Sequence, residues 1–145
     1  MIKPKFLVMT GDGINCERET KAAFLLAGAT AEIKHVNDIL LNPKIIADFQ
    51  GMAIPGGFSF GDELGSGQVL AIKILHGLQE HFNRFVEKGG PIIGICNGFQ
   101  VLTKLGLLPF PFQERSMALA HNRQGHFQDR WAKLEVGSNT VCKWV

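Results

Sequence analysis

Three short apolar runs and one alternating segment, each closing on a loop and followed by helical spacing, constrain this chain more than any other feature. Phe6-Leu-Val-Met9 leads into Gly11-Asp12-Gly13, and Gly51-Met-Ala-Ile54 leads into Pro55-Gly-Gly57. Pro91-Ile-Ile-Gly-Ile95 ends at Cys96, and Thr30 to Val36 alternates enough to form a further strand before a loop at Asn37-Asp38. Short runs without clean alternation are what strands buried on both faces look like. Between them, Asn15 is expected to cap a helix that carries Glu17 and Glu19 in its first turn and stops at Gly28, a natural C′ residue. A short helix is expected from Asn42-Pro43 to Asp48. A single long one is expected from Ser66 or Gly67 to Gly89-Gly90, with Leu75, Leu78, Phe82, Phe85 and Val86 on one stripe. Asn97 to Lys104 reads as a last helix, closed by Gly106. This β-α-β-α-β-α-β-α order with short connections predicts an α/β fold, a parallel sheet with helices on both faces. Residues 107–115 are rich in Pro and Phe, and Met117 to Val145 reads as two or three short β segments that include Cys142. With no internal repeat, low-complexity tract or linker, residues 1–145 are expected to form a single domain.

Composition narrows the function classes. Hydrophobic residues make up 46% of the 145 residues and charged residues 19%, a globular profile. A formal net charge of +2 gives no electrostatic ground for a nucleic-acid or anionic-membrane partner. No apolar run approaches the ~20 residues of a membrane span. The N-terminal run is too brief for a signal peptide. Three cysteines, at 16, 96 and 142, form neither a disulfide framework nor a Cys-x-x-Cys metal knuckle, so no metal is expected and a reducing cytoplasm is the simplest location.

Ligands of open parallel sheets bind at the carboxyl ends of the strands. Three loops meet that description here: Gly11 to Asn15, Pro55 to Asp62, and Cys96 to Gly98. Gly94-Ile-Cys-Asn-Gly98 has the form G-x-C-x-G, the cysteine counterpart of a nucleophile elbow. Flanking glycines are needed because a Cβ there would collide with the neighbouring strand or helix. The central side chain then projects from the sheet's edge at the positive end of a helix, where thiolate is favoured. The Asn97 N–H would point at an oxyanion formed beside Cys96, and the loop at Gly56-Gly57 could supply a second donor. A small buried cysteine and a turn needing positive φ are the plain alternatives for these two loops. No phosphate loop is present, since no Lys-Ser or Lys-Thr follows the glycines, and Gly11-Asp-Gly-Ile-Asn15 lacks the third glycine of a dinucleotide fingerprint.

Pro55-Gly-Gly-Phe-Ser-Phe-Gly-Asp62, Gly94-Ile-Cys-Asn-Gly-Phe-Gln100 and Gly13-Ile-Asn-Cys-Glu17 together resemble the class I glutamine amidotransferases, whose sheet is flavodoxin-like. More narrowly they resemble the glutaminase subunits of phosphoribosylformylglycinamidine synthases, as do Asn122, Gly125, Phe127 and Trp131 downstream. The resemblance implies that Cys96 attacks the side-chain amide carbon of glutamine. It implies that Gly57 and Asn97 form the oxyanion hole, and that Gly56, Gly57, Phe58 and Gln100 bind the substrate. It implies no cofactor in this chain. ATP and Mg would belong to a partner synthetase subunit that uses the ammonia to make formylglycinamidine ribonucleotide in purine biosynthesis, with a small third subunit a further candidate partner. Cys16 would be structural or line an interface.

The resemblance also implies that the family's domain continues past residue 145 and keeps its catalytic His and acidic partner there. A thiol nucleophile needs a base for its proton and an acid for the leaving amine. His35, His76, His81, His121 and His126 read as solvated or satisfied imidazoles, with His76 and His81 on the long helix. Two other readings stand beside the glutaminase: a non-catalytic amidotransferase-like module, and a related cysteine hydrolase or chaperone, which often carries His where Asn97 stands. Leu107, Leu108, Phe110 and Phe112 make an apolar loop that packs on its own domain or covers a partner. An exposed sheet edge and apolar helix faces, favouring association, are expected of this segment alone.

Overall fold

The computed structural model describes residues 2–61 and 63–145; Asp62, the last residue of the second loop, lies outside the described residues. Four strands form one parallel sheet: β1 (Lys5–Thr10), β2 (Thr30–His35), β3 (Gly51–Ile54) and β4 (Ile92–Gly94). Their order is β2-β1-β3-β4, with Val8 opposite both Ile33 and Ala53, and Ala53 opposite Ile93. The helices are α1 (Glu17–Leu26), α2 (Val36–Leu41), a 3₁₀ helix (Pro43–Asp48), α3 (Gln68–Gly77), α4 (Gln79–Glu87) and α5 (Asn97–Lys104).

Side chains alternate across the sheet, and each face has its own cover. Leu7, Met9, Met52 and Ile54 enter the main core with Ile39 of α2, Ile46 of the 3₁₀ helix, Ile74 of α3, Phe82 of α4 and Val101 of α5. Phe6 points the other way and stacks on Phe24 of α1 at 4.2 Å between ring centroids. Burying each large side chain of the main core contributes roughly 1.5–3 kcal/mol, which is why the sheet is pinned chiefly from that side. The expected α/β architecture with helices on both faces is therefore the observed one.

Several local expectations are corrected. The long helix is two, joined at Leu78, whose φ of −130° and ψ of 0° leave the helical range. Gly77, a weak helix former, precedes the joint, and its missing Cβ makes room for Leu40. Leu78 itself is fully buried, so the break lets both helices pack on one core. Asn15 does not cap α1: Cys16 holds that position without a side-chain cap bond, because Asn15 is tied by its N–H to the Gly56 carbonyl. The loop expected at Asn37-Asp38 is α2, capped by His35, whose Nδ1 accepts from the Asn37 N–H at 3.2 Å.

Residues 117–145 contain no strand among the described residues, and Cys142 sits in an irregular, exposed stretch. Strands need a neighbouring ladder, and here Leu119, Phe127, Trp131, Leu134 and Val141 face solvent instead of a sheet. The segment returns at its end: Lys143 Nζ donates to the Gly89 carbonyl, the Trp144 indole N–H donates to the Ile92 carbonyl, and the Trp144 ring tilts against Phe6. In the apolar loop, Leu107 and Leu108 pack on the core while Phe110 and Phe112 are exposed. Among the described residues no helix is long and apolar enough to cross a membrane.

Candidate active site

Cys96 stands between β4 and α5 with φ 52° and ψ −108°, in the half of backbone space that side chains other than glycine rarely enter. Its flanking glycines explain how the chain turns so sharply. A Cβ on Gly94 would lie 2.5 Å from the Gly98 carbonyl oxygen, and one on Gly98 would strike the Ile54 carbonyl. Both contacts are backbone on backbone, so nothing flexible could give way. The turn is closed by Gly98 N–H donating to Ile95 O at 2.9 Å and Gln100 N–H to Cys96 O at 3.2 Å. Cys96 is exposed and free, as the elbow reading requires.

The other two loops meet this one. Gly57 (φ 145°) and Ile14 form an isolated antiparallel bridge, made by Phe58 N–H to Gly13 O at 2.7 Å and Asn15 N–H to Gly56 O at 3.3 Å. A Cβ on Gly57 would sit 2.6 Å from the Gly13 oxygen, so the two loops touch only because glycine is there. Gly56 in turn lies between the two cysteines: the place of its absent Cβ is 3.5 Å from Cys96 Cβ and 3.6 Å from Cys16 Sγ. Among the described residues, neither the Gly57 N–H nor the Asn97 N–H donates to a protein acceptor. Two unspent donors, one on the residue after an exposed thiol and one in the loop whose Gly56 packs on it, can receive developing negative charge.

One contact was not foreseen from the sequence. The Asn97 side chain, nearly fully buried, accepts from the Ser59 N–H at 3.1 Å and donates through Nδ2 to Gln100 Oε1 at 3.1 Å. It braces the second loop against the elbow and orients Gln100. Only its backbone N–H had a role in the sequence reading; an amide directly after the cysteine was the available signal. Phe58 is exposed at the same rim. The five histidines lie elsewhere in the bonding pattern: His35 caps α2, His76 and His81 are on α3 and α4, His121 is exposed in the irregular 117–145 stretch, and His126 bonds within residues 124–128. Among the described residues no imidazole hydrogen-bonds Cys96, and no cluster of His, Cys, Asp or Glu could hold a metal.

A family model for the CobB/CobQ-like glutamine amidotransferase domain matches residues 3–145. The chain belongs to that family of glutamine amidotransferase domains. Its similarity to phosphoribosylformylglycinamidine synthase subunit PurQ of Dehalococcoides mccartyi is 48% identity over 143 residues, covering 98% of this chain and 56% of that protein. The PurQ subunit of Methanococcus maripaludis strain S2 is 46% identical over 147 residues, covering 98% and 54%. This amidotransferase chain thus spans a little over half the length of the relatives it matches. The structure of PurLQS from Thermotoga maritima superposes with a TM-score of 0.63 and 34% identity over 74% of this chain and 46% of that one. A putative protease I of Bacteroides thetaiotaomicron shares the fold alone, at a TM-score of 0.54 and 21% identity over 71% and 68%. The sheet and its elbow are those of the class I glutamine amidotransferase fold.

Proposed function

We propose that residues 1–145 belong to one glutamine amidotransferase domain and carry the nucleophile of the glutaminase subunit of phosphoribosylformylglycinamidine synthase. The observation that carries this reading is the exposed Cys96 on a strained turn, with the Gly57 and Asn97 N–H groups unspent beside it. In the proposed reaction Cys96 loses its proton to a base, and its sulfur attacks the glutamine side-chain amide carbon. The carbonyl oxygen gains negative charge, held by the N–H groups of Gly57 and Asn97. The C–N bond then breaks, the amine takes a proton and leaves as ammonia, and water hydrolyses the glutamyl thioester to glutamate. Gly56, Phe58 and Gln100 seat the substrate. The family's His takes the thiol proton and returns it to the leaving amine, and its acidic partner orients that His. Ammonia passes to a synthetase subunit, which holds the ATP and Mg; a small third subunit is a candidate member of the assembly, in the cytoplasm. The PurQ names of the relatives, and the PurLQS assembly among the superposed structures, support this reading.

A glutamine-mimicking diazo-ketone tests it. The reagent is expected to alkylate Cys96 in preference to Cys16 and Cys142, and glutamine is expected to protect. Reaction at another cysteine while Cys96 stays free would sink the reading. A second reading, a scaffold without chemistry of its own, is favoured by the imidazoles' lack of any bond to Cys96 among the described residues. Glutamine turnover measured with and without the synthetase subunit separates the two.

A further inference from the structure

We propose that the groove between the 3₁₀ helix and α4 is a second ligand site, built for a small organic phosphate. Its volume is about 560 Å³, within the range of small-molecule sites. Phe49 and Gln50 in its lining lead into β3, and Gly89 and Gly90 lead into β4, so the groove opens at the amino ends of these strands. Cys96 follows the carboxyl end of β4, on the opposite rim of the sheet. Lys44 stands on one wall; His81, Arg84 and Lys88 stand on the other; Ile46 and Phe85 supply apolar surface with Phe49.

The charge in this groove is one-sided. No carboxylate lines it, although the same two elements carry Asp48, Glu80 and Glu87. Among the described residues the ion pairs are Lys5–Glu32 and Lys34–Glu32, so Lys44, Arg84 and Lys88 have no carboxylate partner. Arg84 lies in the last turn of α4 and Lys88 is its C-cap, where the helix dipole favours a cation. Lys44, near the start of the 3₁₀ helix on the facing wall, has no such support, and an anion would be drawn to all three. Three exposed cations around one groove exceed what one carboxylate needs and match a phosphate dianion, with the guanidinium fork able to take two of its oxygens. The apolar surface favours an ester with an organic body over the free ion.

Titration of the intact isotope-labelled protein with 1-naphthyl phosphate, followed by amide chemical shifts, tests this. Saturable shifts are expected at residues 44–50 and 81–90. An R84Q/K88Q double variant, or K44Q on the facing wall, is expected to weaken binding; about tenfold for the double variant is the size expected when charge-assisted bonds are lost. Neutral 1-naphthol and inorganic phosphate are each expected to bind less tightly than the ester. Absence of shifts in those residues, unchanged binding in folded variants, or equal affinity for naphthol or inorganic phosphate would overturn the proposal. Alkylation of Cys96 is expected to be the same with and without the ester, so this outcome and that of the glutaminase reading are read separately.

Discussion

Replacing Asn97 with alanine removes, among the described residues, the side chain that hydrogen-bonds the second loop to the elbow. Two hydrogen bonds go, each 3.1 Å long. Ser59 is fully buried, so its N–H is left without water or partner. Orphaning a buried donor costs roughly 1–3 kcal/mol, whereas Gln100 is only half-buried and can turn to solvent at small cost. Asn97→Ala is therefore expected to lose about 2 kcal/mol in urea unfolding, with little change in slope, since the same surface is exposed. Asn97→Asp keeps an acceptor for Ser59 but loses the donor to Gln100 and buries a carboxylate, so it too is expected to be less stable than wild type. The same variants should separate chemistry from stability. Iodoacetamide needs a reachable thiolate but no bound substrate, and is expected to react with Cys96 at a similar rate in the wild-type and Asn97→Ala proteins. The diazo-ketone needs the Gly57 loop and Gln100 in place and should react at least about tenfold more slowly with Asn97→Ala, the size of effect one displaced donor produces. Equal stability of the alanine and wild-type proteins, or equal diazo-ketone rates in the two, would refute this account of Asn97.

Gly57→Ala should part the first two loops, because its Cβ would sit 2.6 Å from the Gly13 oxygen; circular dichroism is expected to keep its helical signal while diazo-ketone labelling of Cys96 falls. Phe82→Ala, in the centre of the core, is expected to cost about 3–5 kcal/mol, and Trp131→Ser, fully exposed, less than about 0.5 kcal/mol, both by urea unfolding. Lys5 first, and then Lys34, hold the Glu32 carboxyl below its ordinary range. The small stability this gives is present above the unfolded-state pKa and is lost as pH falls through the lower folded-state value. Glu32→Gln should flatten that acid limb only slightly, since the pair is exposed and screened. Cys96→Gly relieves the positive φ of residue 96 and is expected to be more stable than Cys96→Ala by about 1 kcal/mol, while both lose labelling at this position.

Three strands were legible because each is a short apolar run stopped by Gly, Pro or Cys, and β2 because its residues alternate, patterns that local chemistry alone decides. The elbow was legible for a different reason. Gly94 and Gly98 are backbone-contact glycines, and their spacing about Cys96 reports a close approach even when the neighbour is unknown. What stayed hidden depended on distant partners. Leu78 carries no breaker signal of its own; its break becomes favourable only when both helices lie on one core. The alternation within 117–145 looks like strand, yet alternation says nothing about whether a ladder is available to receive it. The Asn97 brace needed the knowledge that Ser59, 38 residues earlier, arrives beside it.

These differences have a common physical origin, and it bears on how the site works. Cys96 is strained, and strain persists only where surroundings over-determine the backbone. Here the surroundings are backbone atoms brought close by glycines at 13, 57, 94 and 98, together with one buried amide. None of these groups contributes much apolar burial, so the core would form without the site being correct. The four glycines and Asn97 thus act on the geometry of the thiol and its two donors, while the stability of the sheet rests on Leu7, Met9, Ile54 and Phe82. Substitutions in the first set should move reactivity further than unfolding, and substitutions in the second set the reverse. A variant of Phe82 that labels as fast as wild type below its unfolding midpoint would fit this division; one that stays folded and loses labelling would break it.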